Sequence, residues 1–282
     1  MSALVSIVMP ALNAAATIAA AAASVVAQSH PEWELLIVSD DGCDYARVLG
    51  EAGISDARIR FLADEGPARG PAAARNLGQR HAAGELITRL DADDLYEPDR
   101  LRLMVPLALR HGVAGDNAAA YDESRGRVLG TVLPLSEGVV PLAPFELVLS
   151  PIPWCLLFRR DLLPEWDEDL RFAEDVVFNA RAFEHVDRVP VLGRALWRYR
   201  VMASSLSHAK GAAELADATY AGLIAECERG QPRLRKPELA ALWRRALEAK
   251  RALNSAFMAA YERGEATSFQ EFALKRGNTA AS

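Results

Sequence analysis

Asp91-Ala92-Asp93-Asp94 puts three carboxylates within four residues, directly after the apolar run Glu85-Leu86-Ile87-Thr88-Arg89-Leu90. The run reads as a buried strand, so the acids stand at the edge of a sheet, where each disfavours its neighbours' ionisation. A divalent cation carrying a phosphate offsets that repulsion. Mg²⁺ and Mn²⁺ prefer carboxylate and water oxygens, and often bind through one or two side chains plus the phosphates of a nucleotide. A solvated acidic turn ahead of the helix that starts near Pro98 accounts for the same four residues equally well. The neighbouring elements decide between the two.

Leu4 to Met9 is a short β-branched run closed by Pro10, and Asn13 is placed to cap a helix from Ala14 to about Gln28. Trp33 to Val38 is a second buried strand and ends at Ser39-Asp40-Asp41-Gly42. A helix over Tyr45 to Gly53, a strand over Arg58 to Leu62, a helix over Gly70 to Ala83 and a strand over Glu85 to Leu90 follow. The order is βαβαβαβ with crossovers too long for hairpins, which predicts an α/β, doubly wound, mostly parallel sheet. Ligands of such sheets sit beyond the carboxyl ends of the strands. Asp40 and Asp41 on one strand, and Asp91 and Asp93 on another, converge there.

After Pro98 the pattern gives a helix to about His111, strands around Ala118 to Tyr121 and Arg127 to Leu133, and a strand near Trp154 to Phe158. Glu174 and Asp175 fall in the first turn of a helix reaching Phe183, where the helix dipole favours acids. Ala195 to Val201 reads as a late strand, and residues from Gly211 onward as helices over 212–229 and 237–263 with a polar tail.

Half of the 282 residues are hydrophobic, a quarter are charged and the net charge is −6, with Lys and Arg spread along the chain. That balance excludes a general nucleic-acid binder, whose affinity rests on a basic surface. Cys43, Cys155 and Cys227 show no Cys-x-x-Cys spacing, which argues against a disulfide scaffold or structural zinc and for a cytoplasmic protein. Met1 to Gln28 carries no charged side chain, but it lacks the positive start of a signal peptide, and Pro10 and Asn13 interrupt it as a spanning helix. No transmembrane segment is expected; the basic helices between Arg233 and Arg251 leave peripheral membrane contact open.

Taken in order, Val5-Ser6-Ile7-Val8-Met9-Pro10-Ala11-Leu12-Asn13, Asp40-Asp41-Gly42, Ala74-Arg75-Asn76-Leu77-Gly78 and Asp91-Ala92-Asp93-Asp94 resemble the family-2 glycosyltransferases of the GT-A fold. Leu157-Phe158-Arg159-Arg160-Asp161-Leu162-Leu163, Glu174-Asp175 and Tyr199-Arg200-Val201, followed by Ser204, Ser205 and Ser207, continue the pattern. The resemblance covers about Leu4 to Ser207; the helices after Gly211 match nothing in it. No piece is specific alone, and their order and spacing carry the likeness.

The resemblance implies a GT-A domain over residues 1–210, with a Rossmann-like nucleotide-binding half (1–97) and an acceptor-side half (98–210), then a helical extension over 211–282. It implies an inverting, metal-dependent hexosyltransferase that moves a sugar from a UDP-sugar to an unknown acceptor hydroxyl, with Mn²⁺ or Mg²⁺. Residue by residue, the backbone of Pro10, Ala11 and Asn13 would touch uracil or ribose. Asp40 would accept the uracil N–H, with Asp41 as the alternate. Arg75 would lie near the uracil or diphosphate. Asp93 would bind the metal directly, with Asp91 turned toward ribose or a metal-bound water, Ala92 between them and Asp94 orienting the loop. Asp175 would be the general base. His208 is a candidate late metal ligand, and Arg200 is a candidate diphosphate contact, since a guanidinium forks onto phosphate oxygens.

Rival readings separate by residue. A UDP-sugar-binding protein without catalysis differs in whether Asp175 works. A sugar nucleotidyltransferase shows a Gly-rich, lysine-bearing loop where Pro10-Ala11-Leu12-Asn13 stands, and a dinucleotide-dependent dehydrogenase needs a Gly-x-Gly-x-x-Gly that the first strand lacks.

Overall fold

The computed structural model describes residues 3–63, 68–150, 154–202 and 211–280. Its strands are β1 (Val5–Ala11), β2 (Trp33–Ser39), β3 (Ile59–Ala63), β4 (Leu86–Arg89), β5 (Leu95–Tyr96), β6 (Val113–Asp122), β7 (Arg127–Thr131), β8 (Val139–Leu142), β9 (Leu157–Arg159) and β10 (Val189–Val201). Its helices are α1 (Ile18–Val26), α2 (Tyr45–Glu51), α3 (Pro71–His81), α4 (Arg100–His111), α5 (Pro144–Val148), α6 (Glu174–Phe183), α7 (Ala212–Glu228), α8 (Ala240–Glu262) and α9 (Phe269–Ala280).

One sheet runs in the order β3-β2-β1-β4-β9-β6-β10-β5, with β7 beside β6 and β8 beside β10. The pairs β2·β3, β1·β2 and β1·β4 are parallel, as the βαβ pattern requires. β2 is buried at every position and β1 nearly so, which is what a parallel strand covered on both faces demands. Ile7 and Met9 point to a core shared with α1, α2 and α4, while Val8 points to a smaller core under α3. Beyond β4 the sheet is mixed: β9 is antiparallel to both β4 and β6, and β10 lies parallel to β6. A third cluster joins α6 to α7 and α8 around Phe178, Tyr220 and Trp243.

Several boundaries differ from the sequence reading. Thr17, not Asn13, stands at the N-cap of α1; Asn13 has φ 53° and its N–H is engaged elsewhere, so the helix begins after an extra turn. The late strand starts at Val189 because its first residues pair with β8, a strand without alternation in the sequence. The polar tail contains α9.

Two packing features fix the elements that carry the acids. Gly78 brings α3 onto the sheet, since a Cβ there would lie 2.3 Å from Val8 Cγ1. Arg100 of α4 is fully buried; its Nε and Nη2 donate to Asp116 Oδ1 at 3.1 and 2.8 Å, and its guanidinium stacks 4.0 Å over Tyr96. Arg100 also donates to the Cys155 carbonyl, and the Cys155 thiol and Tyr96 hydroxyl both donate to the carbonyl of Arg89, at the end of β4. The pair therefore braces the strand end from which the acidic loop departs. Replacing one partner strands a buried charge, so Arg100→Met is expected to lower stability by about 3–5 kcal/mol, and Arg100→Met with Asp116→Leu to recover most of it. Urea denaturation of the two variants against the wild type checks this; a single variant as stable as the wild type would refute it.

Candidate functional site

The carboxyl ends of β2, β1 and β4 lie side by side and form one rim. Asp40 follows β2, and its backbone N–H donates to the Ala11 carbonyl at the end of β1. Its side chain is buried and caps the start of α3: Oδ1 accepts from Arg69 N at 2.9 Å and Oδ2 from Gly70 N at 3.0 Å. Asp41 ties the neighbouring loops together. Oδ2 accepts from Asn13 N at 2.6 Å and from the Tyr45 hydroxyl at 2.8 Å, while Oδ1 accepts from Cys43 N at 3.0 Å and Ser39 Oγ at 3.2 Å. Burial works against its ionisation, but these four donors outweigh it and hold the carboxyl below the usual range. With two protein donors against four, Asp40 keeps more lone pairs for a ligand than Asp41. Pro10, Ala11 and Asn13 border this corner of the rim.

The acidic loop leaves β4 at Leu90. Asp91 Oδ1 accepts from Arg75 Nη2 at 2.8 Å, and Oδ2 stands 3.8 Å from Arg89 Nη1. Arg75, on α3, gives its other arm to Glu174 Oε1 at 2.9 Å and lies 4.5 Å over the Trp166 ring. Asn76 seats that ring by exchanging hydrogen bonds with the Trp166 backbone, at 2.8 Å to its N–H and 3.0 Å to its carbonyl. The Ala74-Arg75-Asn76 run is thus one device, in which Asn76 sets the aromatic face on which Arg75 rests. Both terminal nitrogens of Arg75 are engaged and the side chain is buried, so its charge acts on Asp91 and Glu174. Ala92 is buried, and Asp93 lies half-buried in the same turn. Asp94 does orient the loop: its carboxylate accepts from Trp197 Nε1 and Arg200 N, both at 2.9 Å. Burial pushes Asp94 well above the usual carboxyl range, and Asp93 and Asp91 push it further.

Glu174 and Asp175 open α6 after Ala173, which adopts a left-handed φ of 61°. Burial and the Asp175 charge raise the Glu174 carboxyl, against the pull of Arg75. Asp175 Oδ1 accepts from Val176 N at 2.7 Å, and Oδ2 stands 3.7 Å from Arg89 Nη2, too far for a hydrogen bond. Arg75 and Arg89 thereby join the rim acid Asp91 to the Glu-Asp pair in one network.

Arg200 gives its Nε to Glu123 rather than standing open toward the rim. Trp154 and Trp197 are buried and serve the core. His208 lies outside the described residues. Among the described residues no group of three or more His, Cys, Asp or Glu side chains stands ready to enclose a cation. The oxygens of Asp91 and Asp93 suit instead a hard cation held through one or two carboxylates, its remaining positions filled by water and phosphate. No helix among the described residues is long and apolar enough to cross a membrane.

Arg89, Trp166 and Tyr45 belong to the site or its frame and were missed in the sequence. One signal existed for Arg89: in an extended strand it shares a face with residues two apart, which points it the same way as Asp91. The others come from loops and helices with no spacing to announce them.

The family model described as "Glycosyl transferase family 2" matches residues 6–166. The chain is 39% identical over 111 residues to UDP-Glc:alpha-D-GlcNAc-diphosphoundecaprenol beta-1,3-glucosyltransferase WfgD of Escherichia coli, covering 39% of this chain and 43% of that protein. It is 32% identical over 222 residues to succinoglycan biosynthesis protein ExoO of Rhizobium meliloti, covering 72% of this chain and 62% of that protein. The chain therefore spans about half the length of these relatives. TarS of S. aureus, crystallised with UDP, superposes with a TM-score of 0.60 at 21% identity over 78% of this chain and 65% of TarS, which shows a shared fold.

Arg75→Met leaves Asp91, Glu174 and Asp175 without their central cation and is expected to cost about 3–5 kcal/mol at neutral pH. The sign with pH follows from the two acids. Desolvation works against the half-buried Asp91 but Arg75 and Arg89 hold it low, so its share is in place above the unfolded value of 3.8 and is lost as pH falls through its folded value. Glu174 sits high, and without Arg75 it rises further, so protonating it relieves the variant first. The gap between variant and wild type should narrow as pH drops from neutral toward the carboxyl range. Urea midpoints against pH test this; a gap that widened on acidification would sink the network.

Proposed function

We propose that this chain, which belongs to glycosyl transferase family 2 and has the GT-A fold, moves a sugar from a UDP-sugar to an acceptor hydroxyl with inversion. One observation carries the proposal: a single guanidinium, Arg75, bonds both Asp91 at the nucleotide rim and Glu174 beside Asp175. A charge network linking the donor edge to a carboxylate on a separate helix suits a transfer between two substrates better than simple nucleotide binding.

In this reading Asp40 offers its remaining lone pairs to the uracil N–H, a bond that discriminates among bases. Asp41 holds the loop that carries Pro10, Ala11 and Asn13 along the base and ribose. Asp93 would hold Mn²⁺ or Mg²⁺ directly, with Asp91 beside it toward ribose or a bound water. The cation, when bound with the donor, supplies positive charge to the departing diphosphate. Asp175 accepts the acceptor hydroxyl's proton at Oδ2 as that oxygen bonds to the anomeric carbon and the bond to the UDP oxygen breaks. The UDP donor is supported by the glucosyltransferase named in E. coli, which uses UDP-Glc, and by the UDP-bound TarS structure. Unpaired Cys43, Cys155 and Cys227 support a reducing, cytoplasmic setting.

Asp175→Asn is expected to lower UDP release from a UDP-sugar by about 100- to 10,000-fold while leaving UDP affinity within about twofold. Asp93→Ala is expected to weaken UDP binding and abolish its dependence on Mn²⁺. Turnover assays and titration calorimetry check both. Undiminished turnover in Asp175→Asn would mean that another group is the base; UDP binding with unchanged Mn²⁺ dependence in Asp93→Ala would remove the metal assignment.

A further inference from the structure

The segment leading to α6 passes over the start of α3, and other elements pin its residues one after another. Trp166 is seated by Asn76, whose Nδ2 also donates to Glu168 Oε1 at 2.9 Å. Asp167 Oδ2 accepts from Arg181 at 3.1 Å and from Arg233 at 2.7 Å. Glu168 pairs with Arg69, and Phe172 meets Tyr220 edge to face with ring centroids 5.9 Å apart. Between these anchors Arg171 reaches back, and its Nη1 donates to the Arg69 carbonyl at 3.2 Å. Gly70 makes room for it. Its φ of 98° favours glycine, and a Cβ there would lie 3.2 Å from that same Nη1.

Arg69 and Gly70 are the two residues whose N–H groups cap Asp40. The guanidinium of Arg171 is therefore held at the corner where Asp40 keeps lone pairs for a ligand. It is also uncommitted. Arg69 pairs with Glu168, Arg75 with Asp91 and Glu174, and Arg200 with Glu123. Among the described residues no carboxylate pairs with Arg171, and the residue is exposed. A guanidinium carries five N–H donors in a fixed fork, of which the Arg69 carbonyl takes one. An unpaired surface arginine ordinarily sweeps through solvent; this one has its direction set by a carbonyl and by the bare backbone of Gly70.

The free edge of uracil presents O4, N3–H and O2, which accept, donate and accept. Cytosine has a donating 4-amino group in place of O4 and a bare, accepting N3. Asp40 can only accept, which suits N3–H. A fixed donor beside it suits a carbonyl. Asp91, on the ribose side, is met by α3 through Arg75, more than one turn further along the helix. Arg171 stands at the helix start, so the carbonyl remote from the ribose, O4, falls to it.

We propose that Arg171 completes base recognition, donating to uracil O4 while Asp40 accepts from N3–H, so that the corner takes a uridine nucleotide and rejects a cytidine one. The inference rests on Asp40 reading the base. With cytosine both contacts meet the wrong polarity: the amino group faces N–H donors and N3 faces a carboxylate. Arg171 lies beyond the stretch that matches the family model, on the segment that also delivers Glu174 and Asp175. Base recognition and the acid pair are then carried by one continuous piece of chain.

Titration calorimetry of the full chain with UDP and with CDP tests this. The wild type is expected to prefer UDP. Arg171→Met should weaken UDP by about tenfold and change CDP by less than about twofold, so the preference shrinks about tenfold. Equal weakening of UDP and CDP would assign Arg171 to the diphosphate, and unchanged UDP affinity would leave it a fastener of its own loop; either result overturns the inference. A structure of the wild type with UDP gives a reading that needs no variant. An Arg171 nitrogen within hydrogen-bond distance of O4 is expected, and a guanidinium turned to solvent or to the phosphates refutes it. If the wild type shows no preference for UDP over CDP, the assignment of Asp40 has failed; if the preference exists and survives Arg171→Met, only the role of Arg171 has failed.

Discussion

Two guanidinium groups, Arg75 and Arg89, hold three carboxylates, Asp91, Glu174 and Asp175, at the junction of the sheet rim and α6. Carboxylates this close and this little hydrated would otherwise suppress one another's ionisation. The two arginines sit in α3 and β4, and the acids in the β4–β5 loop and α6, so the network forms only when the strand order and both helices are in place. Much of the fold can be understood as the frame for it. Gly78 lets α3 approach the sheet closely enough for Arg75 to reach Asp91. Trp166, stacked on Phe178 of α6 at 3.9 Å, gives Arg75 an aromatic face and anchors the helix that carries the acid pair. The Arg100–Asp116 pair and the bonds to the Arg89 carbonyl fix the strand end from below.

The same residue type does different work within a few ångströms, and the hydrogen-bond partners tell the roles apart. Asp41 accepts from four donors and serves as a knot between two loops. Asp40 accepts from two backbone N–H groups and caps α3. Asp94 is buried beneath the acidic loop, holding it to β10 through Trp197 and Arg200. Asp116 is sealed in the core. Asp41 and Asp94 have both oxygens engaged by fixed donors, Asp40 keeps lone pairs beyond its two bonds, and Asp116 bonds through Oδ1 alone. Asp175 differs, because Oδ2 faces a cation without bonding to it. A carboxylate oxygen in that state is open to a hydroxyl in a way that those of Asp41 and Asp94 are not.

Much of the nucleotide half was legible in the sequence. The parallel strands announce themselves as unbroken apolar runs, and each ends in a polar turn, so the meeting of Asp40 and Asp91 at one rim follows from the βαβ order alone. The acid pair at the start of α6 was also readable from the dipole preference of its first turn. Arg89 was hidden because a charged residue inside an apolar strand reads as part of the run. β8 was hidden because it gains its partner only from β10, and α9 because its apolar residues Phe269, Phe272, Ala273 and Leu274 sit in a short segment that reads as a polar tail; it is also held to the β7 hairpin by ion pairs from Glu271 to Arg125 and Arg127.

The packing of α6 bears on how the two groups of acids are mounted. The rim acids rest on the core of α1, α2 and α4, whereas α6 shares its core with α7 and α8. The rim acids and the Glu174–Asp175 pair are therefore mounted on different hydrophobic clusters, and the guanidinium of Arg75 bridges the gap. A hydrophobic cluster is non-directional and sets spacing only loosely, while a two-armed guanidinium bond fixes both distance and orientation. The match to the family model ends at residue 166, before α6, so it does not reach the helices that support Asp175.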